Sequence, residues 1–142
     1  MGRGKEQEPD ARRAYEVRTG NIVDLVGFIN HPRLLTGCSP DGLVDDDGGT
    51  EIKSVIPSVQ IATIMDGGYP SEHVPQVQGC LWNTGRKWWD FISYSPDMLE
   101  HLQLYVYRVP PDPEYIERLS IEVSKFLREV DELYNTLMEI KS

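Results

Sequence analysis

Only two cysteines, Cys38 and Cys80, occur in this chain of 142 residues. Two thiols are too few to staple a secreted mini-scaffold or to close a zinc site, so a reducing, cytoplasmic setting is expected. Long apolar runs are missing as well. None approaches the roughly 18 residues that a membrane span needs, and no charged, apolar and small-residue leader opens the chain. Basic residues are outnumbered, with 14 Lys and Arg against 23 Asp and Glu and a formal net charge of -9. Charge alone therefore argues against a nucleic-acid partner. Internal repeats and low-complexity linkers are lacking. What is present suits one folded domain over 1–142: hydrophobic residues make up 39% and 12 glycines accompany them, which excludes a natively disordered acidic tail.

The charge is unevenly spread. The first twenty residues are slightly basic, whereas Asp41, Asp45, Asp46, Asp47 and Glu51 crowd a short, glycine-rich segment. Patterning predicts a helix from Lys5 to Thr19 closed by Gly20. Short strands follow over Asn21–Ile29, Leu34–Cys38, Leu43–Val44 and Thr50–Val55, with a turn at Asp45–Gly49. Pro57–Met65 and Ser71–Asn83 read as helices, and Lys87–Tyr94 and Leu102–Val109 as aromatic, β-branched strands. From Asp112 one long amphipathic helix carries Ile116, Leu119, Val123, Phe126, Val130, Leu133, Leu137 and Ile140 in steps of three and four. That stripe fits a coiled-coil seam or a face packed on the domain's own sheet, and a mixed α/β domain favours the second.

Chemistry concentrates in Ser39-Pro40-Asp41-Gly42 and Glu51-Ile52-Lys53. Alternation along a strand projects Glu51 and Lys53 to one side and Ile52 into the core. A hairpin would bring Asp41 beside Glu51, and two adjacent carboxylates are costly unless a cation neutralises them. Hard oxygen donors suit Mg²⁺ or Mn²⁺ better than zinc. A cation there can position water and stabilise charge on a phosphate oxygen, with Lys53 steering or deprotonating that water. The same residue types also fit a solvated turn beside an exposed ion pair, and the bare pattern leaves both readings open.

Several motifs in order add to this. SPDGLV, EIK, the helical Pro75-Gln76-Val77-Gln78-Gly79 with Leu81-Trp82, GRKWWDFISYSPDM and the opening GKEQEPDAR together resemble the phage lambda exonuclease family. These are the YqaJ-like viral recombinase nucleases of the PD-(D/E)XK superfamily, and the likeness runs from about Gly4 into the last helix. The resemblance implies a restriction-endonuclease-like three-layer α/β core, with a mixed central sheet flanked by helices. It implies Asp41 and Glu51 as metal-binding carboxylates, the Ile52 carbonyl completing the metal shell, and Lys53 as the catalytic lysine. Gln76 would line the site and orient the nucleophilic water. Glu8 would act on the metal directly or through water, and Ser39 would contact a terminal 5′-phosphate.

The activity so implied is Mg²⁺-dependent (Mn²⁺ also possible), 5′-to-3′ digestion of double-stranded DNA ends. The implied setting is phage recombination in a bacterial host, beside a single-strand annealing protein and within a homotrimer, with no membrane partner. Two departures are visible. The family's N-terminal helical region is expected to be lacking, and Ser54-Val55-Ile56-Pro57 stands where members often continue with Cys-Pro and a basic residue. A related endonuclease and a non-catalytic DNA- or partner-binding fragment are the alternatives. Trp82, Trp88 and Trp89 read as packing, with one of the adjacent pair expected to face outward. His31, His73 and His101 show no metal-ligand spacing. Cys38 and Cys80 read as small buried apolar residues.

Overall fold

A computed structural model describes the backbone of residues 2–140 and the side chains of residues 6–140. Met1, Lys141 and Ser142, the ends of the expected domain, lie outside the described residues. The helices are α1 (Gly2–Thr19), α2 (Pro57–Asp66), α3 (Val74–Thr84) and α4 (Pro113–Glu139). The strands are β1 (Val23–Asp24), β2 (Ile29–Asn30), β3 (Gly37–Cys38), β4 (Gly42–Val44), β5 (Gly48–Ser54), β6 (Trp88–Tyr94) and β7 (Leu104–Val109). The main sheet has the order β1-β4-β5-β6-β7, and β2 and β3 form a separate ribbon. Only β5 and β6 pair in parallel; their connection runs through α2 and α3, as a parallel crossover requires. This is a mixed sheet covered on both faces, the three-layer architecture expected from the sequence.

Alternation along the central strands sorts the core into two layers. Ile52 and Ile92 join Ala11 and Tyr15 of α1, together with Val23, Val44 and Leu104. Trp89 and Phe91 point the other way, into Val77, Cys80 and Leu81 of α3 with Leu43 and Val109. Glycines make room for the indoles. Gly48 and Gly49 lie in register with Trp88 and Trp89, and a Cβ on Gly49 would come 2.2 Å from the Trp89 ring. Trp88 does not face open solvent, contrary to the sequence-based expectation. It packs against the α1-side core, and the Arg108 guanidinium carbon lies 3.6 Å above its ring centroid. Arg108 also grips the buried Asp90 through bonds of 2.9 and 3.0 Å, and the Tyr15 hydroxyl donates to the same carboxylate at 2.6 Å.

Two other expectations need correcting. The strand foreseen over Asn21–Ile29 pairs only at Val23–Asp24 and at Ile29, and Leu25, Val26 and Phe28 between them are exposed. Apolar residues at 22, 23, 25, 26 and 28 do not alternate, so no single face could be buried. The face of α4 is covered only at its beginning. Ile116 packs against the α3-side core, but Phe126, Val130, Leu133, Leu137 and Ile140 are all exposed. The helix is 27 residues long, about 40 Å at 1.5 Å per residue, and so outruns the sheet it was expected to cover. Its start is fixed by Gln78, which donates to the Pro110 carbonyl and accepts from the Asp112 amide. Asp112 in turn caps the helix by accepting from the Tyr115 amide.

Candidate functional site

The hairpin of β4 and β5 pairs Gly42 with Thr50, and the Asp41 amide donates to the Thr50 carbonyl. Asp41 and Glu51 are thus cross-strand neighbours at the open end of the hairpin. Asp41 Oδ2 accepts from the Ile52 amide at 2.7 Å, which orients its carboxylate along β5. Glu51, at the middle of β5, is 1% exposed. Its Oε2 lies 3.2 Å from Lys53 Nζ, whereas Oε1 is buried with no hydrogen-bond partner. Lys53 is two residues on and therefore on the same face of the sheet.

Glu8 arrives from a different layer. It projects from α1 toward Asp41, and the two carboxyl groups interact. Partial burial and the Asp41 charge raise its pKa. Glu51 responds more strongly: burial first, then the Asp41 charge, push its carboxyl up to about 7 against the pull of Lys53. Three carboxyl groups from three elements therefore crowd one place and resist ionising together.

The other expected residues are less engaged. Gln76 is exposed near the start of α3, and among the described residues no hydrogen bond ties it to Asp41, Glu51 or Lys53. Its neighbour Gln78 is buried and anchors α4. Ser39 is an exposed residue of the turn before Asp41, and the Ile52 side chain lies in the α1-side core. Set aside in the sequence, His73 borders the site. Its ring stacks on Phe91 with centroids 5.4 Å apart, and burial followed by the Lys53 charge lowers its pKa. Spacing could not reveal it, because it faces the site from the 3₁₀ turn before α3, far along the chain from Lys53.

The donor set fits a hard divalent cation. It consists of carboxylate oxygens, one buried without any partner, in a place where added positive charge would relieve mutual repulsion. Among the described residues, no three His, Cys, Asp or Glu side chains are already arranged as a ready-made shell. Asp41 is turned toward the Ile52 amide and Glu51 toward Lys53, so accepting a cation would require these oxygens to turn away from those partners.

A family model for the YqaJ-like viral recombinase domain matches residues 1–87, more than half the chain. The chain belongs to this family. Among solved structures similar to this YqaJ-like chain is the alkaline exonuclease LHK-Exo from Laribacter hongkongensis. It is 40% identical with a TM-score of 0.88, and the match covers 97% of this chain and 72% of that one. The structure of LHK-Exo in complex with dAMP is likewise 40% identical and gives a TM-score of 0.87 over 96% and 71%. A phage related exonuclease from Haemophilus somnus 129PT shares the fold at 13% identity, with a TM-score of 0.69 over 96% and 72%. No curated protein matches the chain. Among the described residues of this YqaJ-like protein, no helix is long and apolar enough to cross a membrane.

Proposed function

We propose that this YqaJ-like chain is a deoxyribonuclease that hydrolyses phosphodiesters with Mg²⁺, Mn²⁺ being an acceptable substitute. The observation that carries the reading is Glu51: a buried carboxylate with one orphaned oxygen, beside Asp41 and Lys53 in the fold of an alkaline exonuclease. Asp41, Glu51 and the Ile52 carbonyl would hold the ion, with Glu8 reaching it directly or through water. When bound, the cation supplies charge stabilisation at the scissile phosphate and lowers the pKa of water.

The chain's own residues do the rest. Once Glu51 turned from it, the Lys53 ammonium would be free to face the phosphate or the attacking water, and Gln76, exposed near the start of α3, would orient that water. Ser39, in its exposed turn, is a hydroxyl donor for a terminal 5′-phosphate. The net acidity does not oppose DNA at this place. The Asp45-Asp46-Asp47 turn lies at the opposite end of the hairpin from Asp41, and cation binding would reverse the local field.

Double-strand ends are the proposed substrate, degraded 5′ to 3′ to mononucleotides, the ligand class in the LHK-Exo complex with dAMP. Family membership supports a place in phage recombination, with a single-strand annealing protein as partner and a homotrimeric assembly. The test uses 5′-phosphorylated linear duplex and closed circular duplex, each with Mg²⁺ or EDTA. Asp41→Ala and Lys53→Met serve as controls. Mg²⁺-dependent loss of linear duplex alone, abolished in both variants, is the expected result. Cutting of the circle would instead identify an endonuclease, and no Mg²⁺-dependent loss of either would overturn the reading.

A further inference from the structure

A row of side chains crosses the α3-facing side of the sheet at the level of Glu51. Glu51 of β5 is in register with Phe91 of β6, and Phe91 with Tyr107 of β7. Partners in register share a face, and Phe91 belongs to the α3-side core, so Glu51 points to that side as well. Asp41 flanks Glu51 from the β4 side. His73 stands over the other flank. Its ring lies on Phe91 with centroids 5.4 Å apart and planes at 25°. Glu51 and the residue beneath the imidazole are thus one strand spacing apart, about 4.8 Å.

The ring is held there from several sides. The Tyr105 hydroxyl donates to the Gly68 carbonyl at 2.7 Å, and Tyr69 rests on Phe91 beside His73 with centroids 5.6 Å apart. The His73 amide donates to the Pro70 carbonyl at 3.0 Å. Neither ring nitrogen, however, has a hydrogen-bond partner among the described residues, and the side chain is only half-buried. His31 differs, because its Nδ1 accepts from the amides of Arg33 and Leu34 and is used within the chain. A neutral imidazole in either tautomer, like the imidazolium, carries at least one ring N–H. His73 is therefore a fixed donor beside the carboxylates whatever its protonation state.

We propose that His73 donates a hydrogen bond to a non-bridging oxygen of the phosphodiester flanking the scissile one, and so fixes the path of the DNA strand over β6. This rests on the nuclease reading, which puts the scissile phosphate at a cation between Asp41 and Glu51. The strand must continue from that point, and the two sides differ. Carboxylates gather on the β4 side, where Asp41 and Glu8 stand, whereas the β6 side carries the Lys53 ammonium and the unpartnered imidazole. Gln76 lies three residues along from His73, one turn into α3. His73 is a substrate-binding residue in this arrangement and moves no proton.

The full chain is compared with His73→Phe, His73→Asn and His73→Gln in Mg²⁺-dependent hydrolysis of linear duplex, and in duplex binding by fluorescence anisotropy with Ca²⁺ in place of Mg²⁺. Phenylalanine keeps a ring on Phe91 but has no donor, and the amides return an N–H near the place of Nδ1 or Nε2. Thermal unfolding checks that each variant folds. His73→Leu, also without a donor, replaces the phenylalanine variant if that one does not. Expected are a KM and a dissociation constant raised about tenfold in His73→Phe. Its kcat should stay within about threefold of native, and one amide variant should recover most of the affinity. The same factor should appear with 5′-phosphorylated and 5′-hydroxyl duplex, because the contact is to an internal phosphate. Unchanged KM and affinity in His73→Phe would overturn the proposal. So would equal losses in all three variants, a loss confined to kcat, or a loss seen only with a 5′-phosphate. Native protein that binds duplex without hydrolysing it would overturn the nuclease reading, and the anisotropy series would still decide the contact. Native protein that does neither would overturn both.

Discussion

Glu51→Gln separates the electrostatic cost of the site from its contribution to packing. The substitution keeps size and shape but removes the charge from a side chain that is 1% exposed. In the folded protein the carboxyl holds its proton up to a pH of about 7, against an ordinary value of 4.5. A raised carboxyl pKa means that folding favours the protonated form. Stability is thus complete below pH 4.5, falls as pH rises through the folded value, and levels off above it. At 1.36 kcal/mol per pKa unit, the cost above pH 8 is about 3 kcal/mol. The shift already includes the opposing pull of Lys53, so glutamine escapes the whole of that net cost. The variant should therefore be more stable than the native protein by about 3 kcal/mol at pH 8 and no more stable at pH 5. Urea denaturation in EDTA at both pH values measures this, and the change in the difference between proteins cancels titrations they share. Saturating Mg²⁺ should then stabilise the native protein more than the variant, by about 2.7 kcal/mol at a hundred times the dissociation constant. A stability difference that does not change with pH, or one that favours the native protein at pH 8, would refute the argument.

Three other outcomes follow from packing. Gly49→Ala should destabilise by about 1–3 kcal/mol, because its methyl meets the Trp89 ring, and thermal unfolding reads this directly. Arg108→Met leaves the Asp90 carboxylate with Tyr15 alone and uncovers Trp88, and a loss of about 2 kcal/mol is expected in denaturant titration. Leu133→Glu and Leu137→Glu together should change monomer stability by less than about 0.5 kcal/mol at low protein concentration, since both side chains are exposed. A large loss there would place the distal half of α4 against something in solution, and sedimentation at several concentrations would detect a second copy.

Local patterning made most of the fold legible. Helix α1 ends at Gly20, α2 opens on Pro57, and β6 and β7 lie within the two aromatic, β-branched runs, because propensity and burial agree there. The neighbouring Asp41 and Glu51 were also readable, since a hairpin register follows from a short turn, here Asp45-Asp46-Asp47. What lay hidden depends on distance in the chain. His73 against Lys53, Cys38 against the α3-side core, and the Tyr15–Asp90–Arg108 network each join elements whose juxtaposition no periodicity encodes. The α4 stripe misled for another reason. Periodicity shows that a face wants a partner, but not whether the partner belongs to the same domain.

The glycine–tryptophan register bears on how this chain can vary. Gly49 and Trp89 occupy one volume between them, so neither position is free to drift alone. A larger residue on β5 is admissible only after a smaller one has replaced the indole on β6, and the order of the two steps is fixed because the reverse order passes through a clash. Glycine-to-alanine replacement, commonly used to stiffen unfolded chains, is therefore closed at this strand until the aromatic changes first.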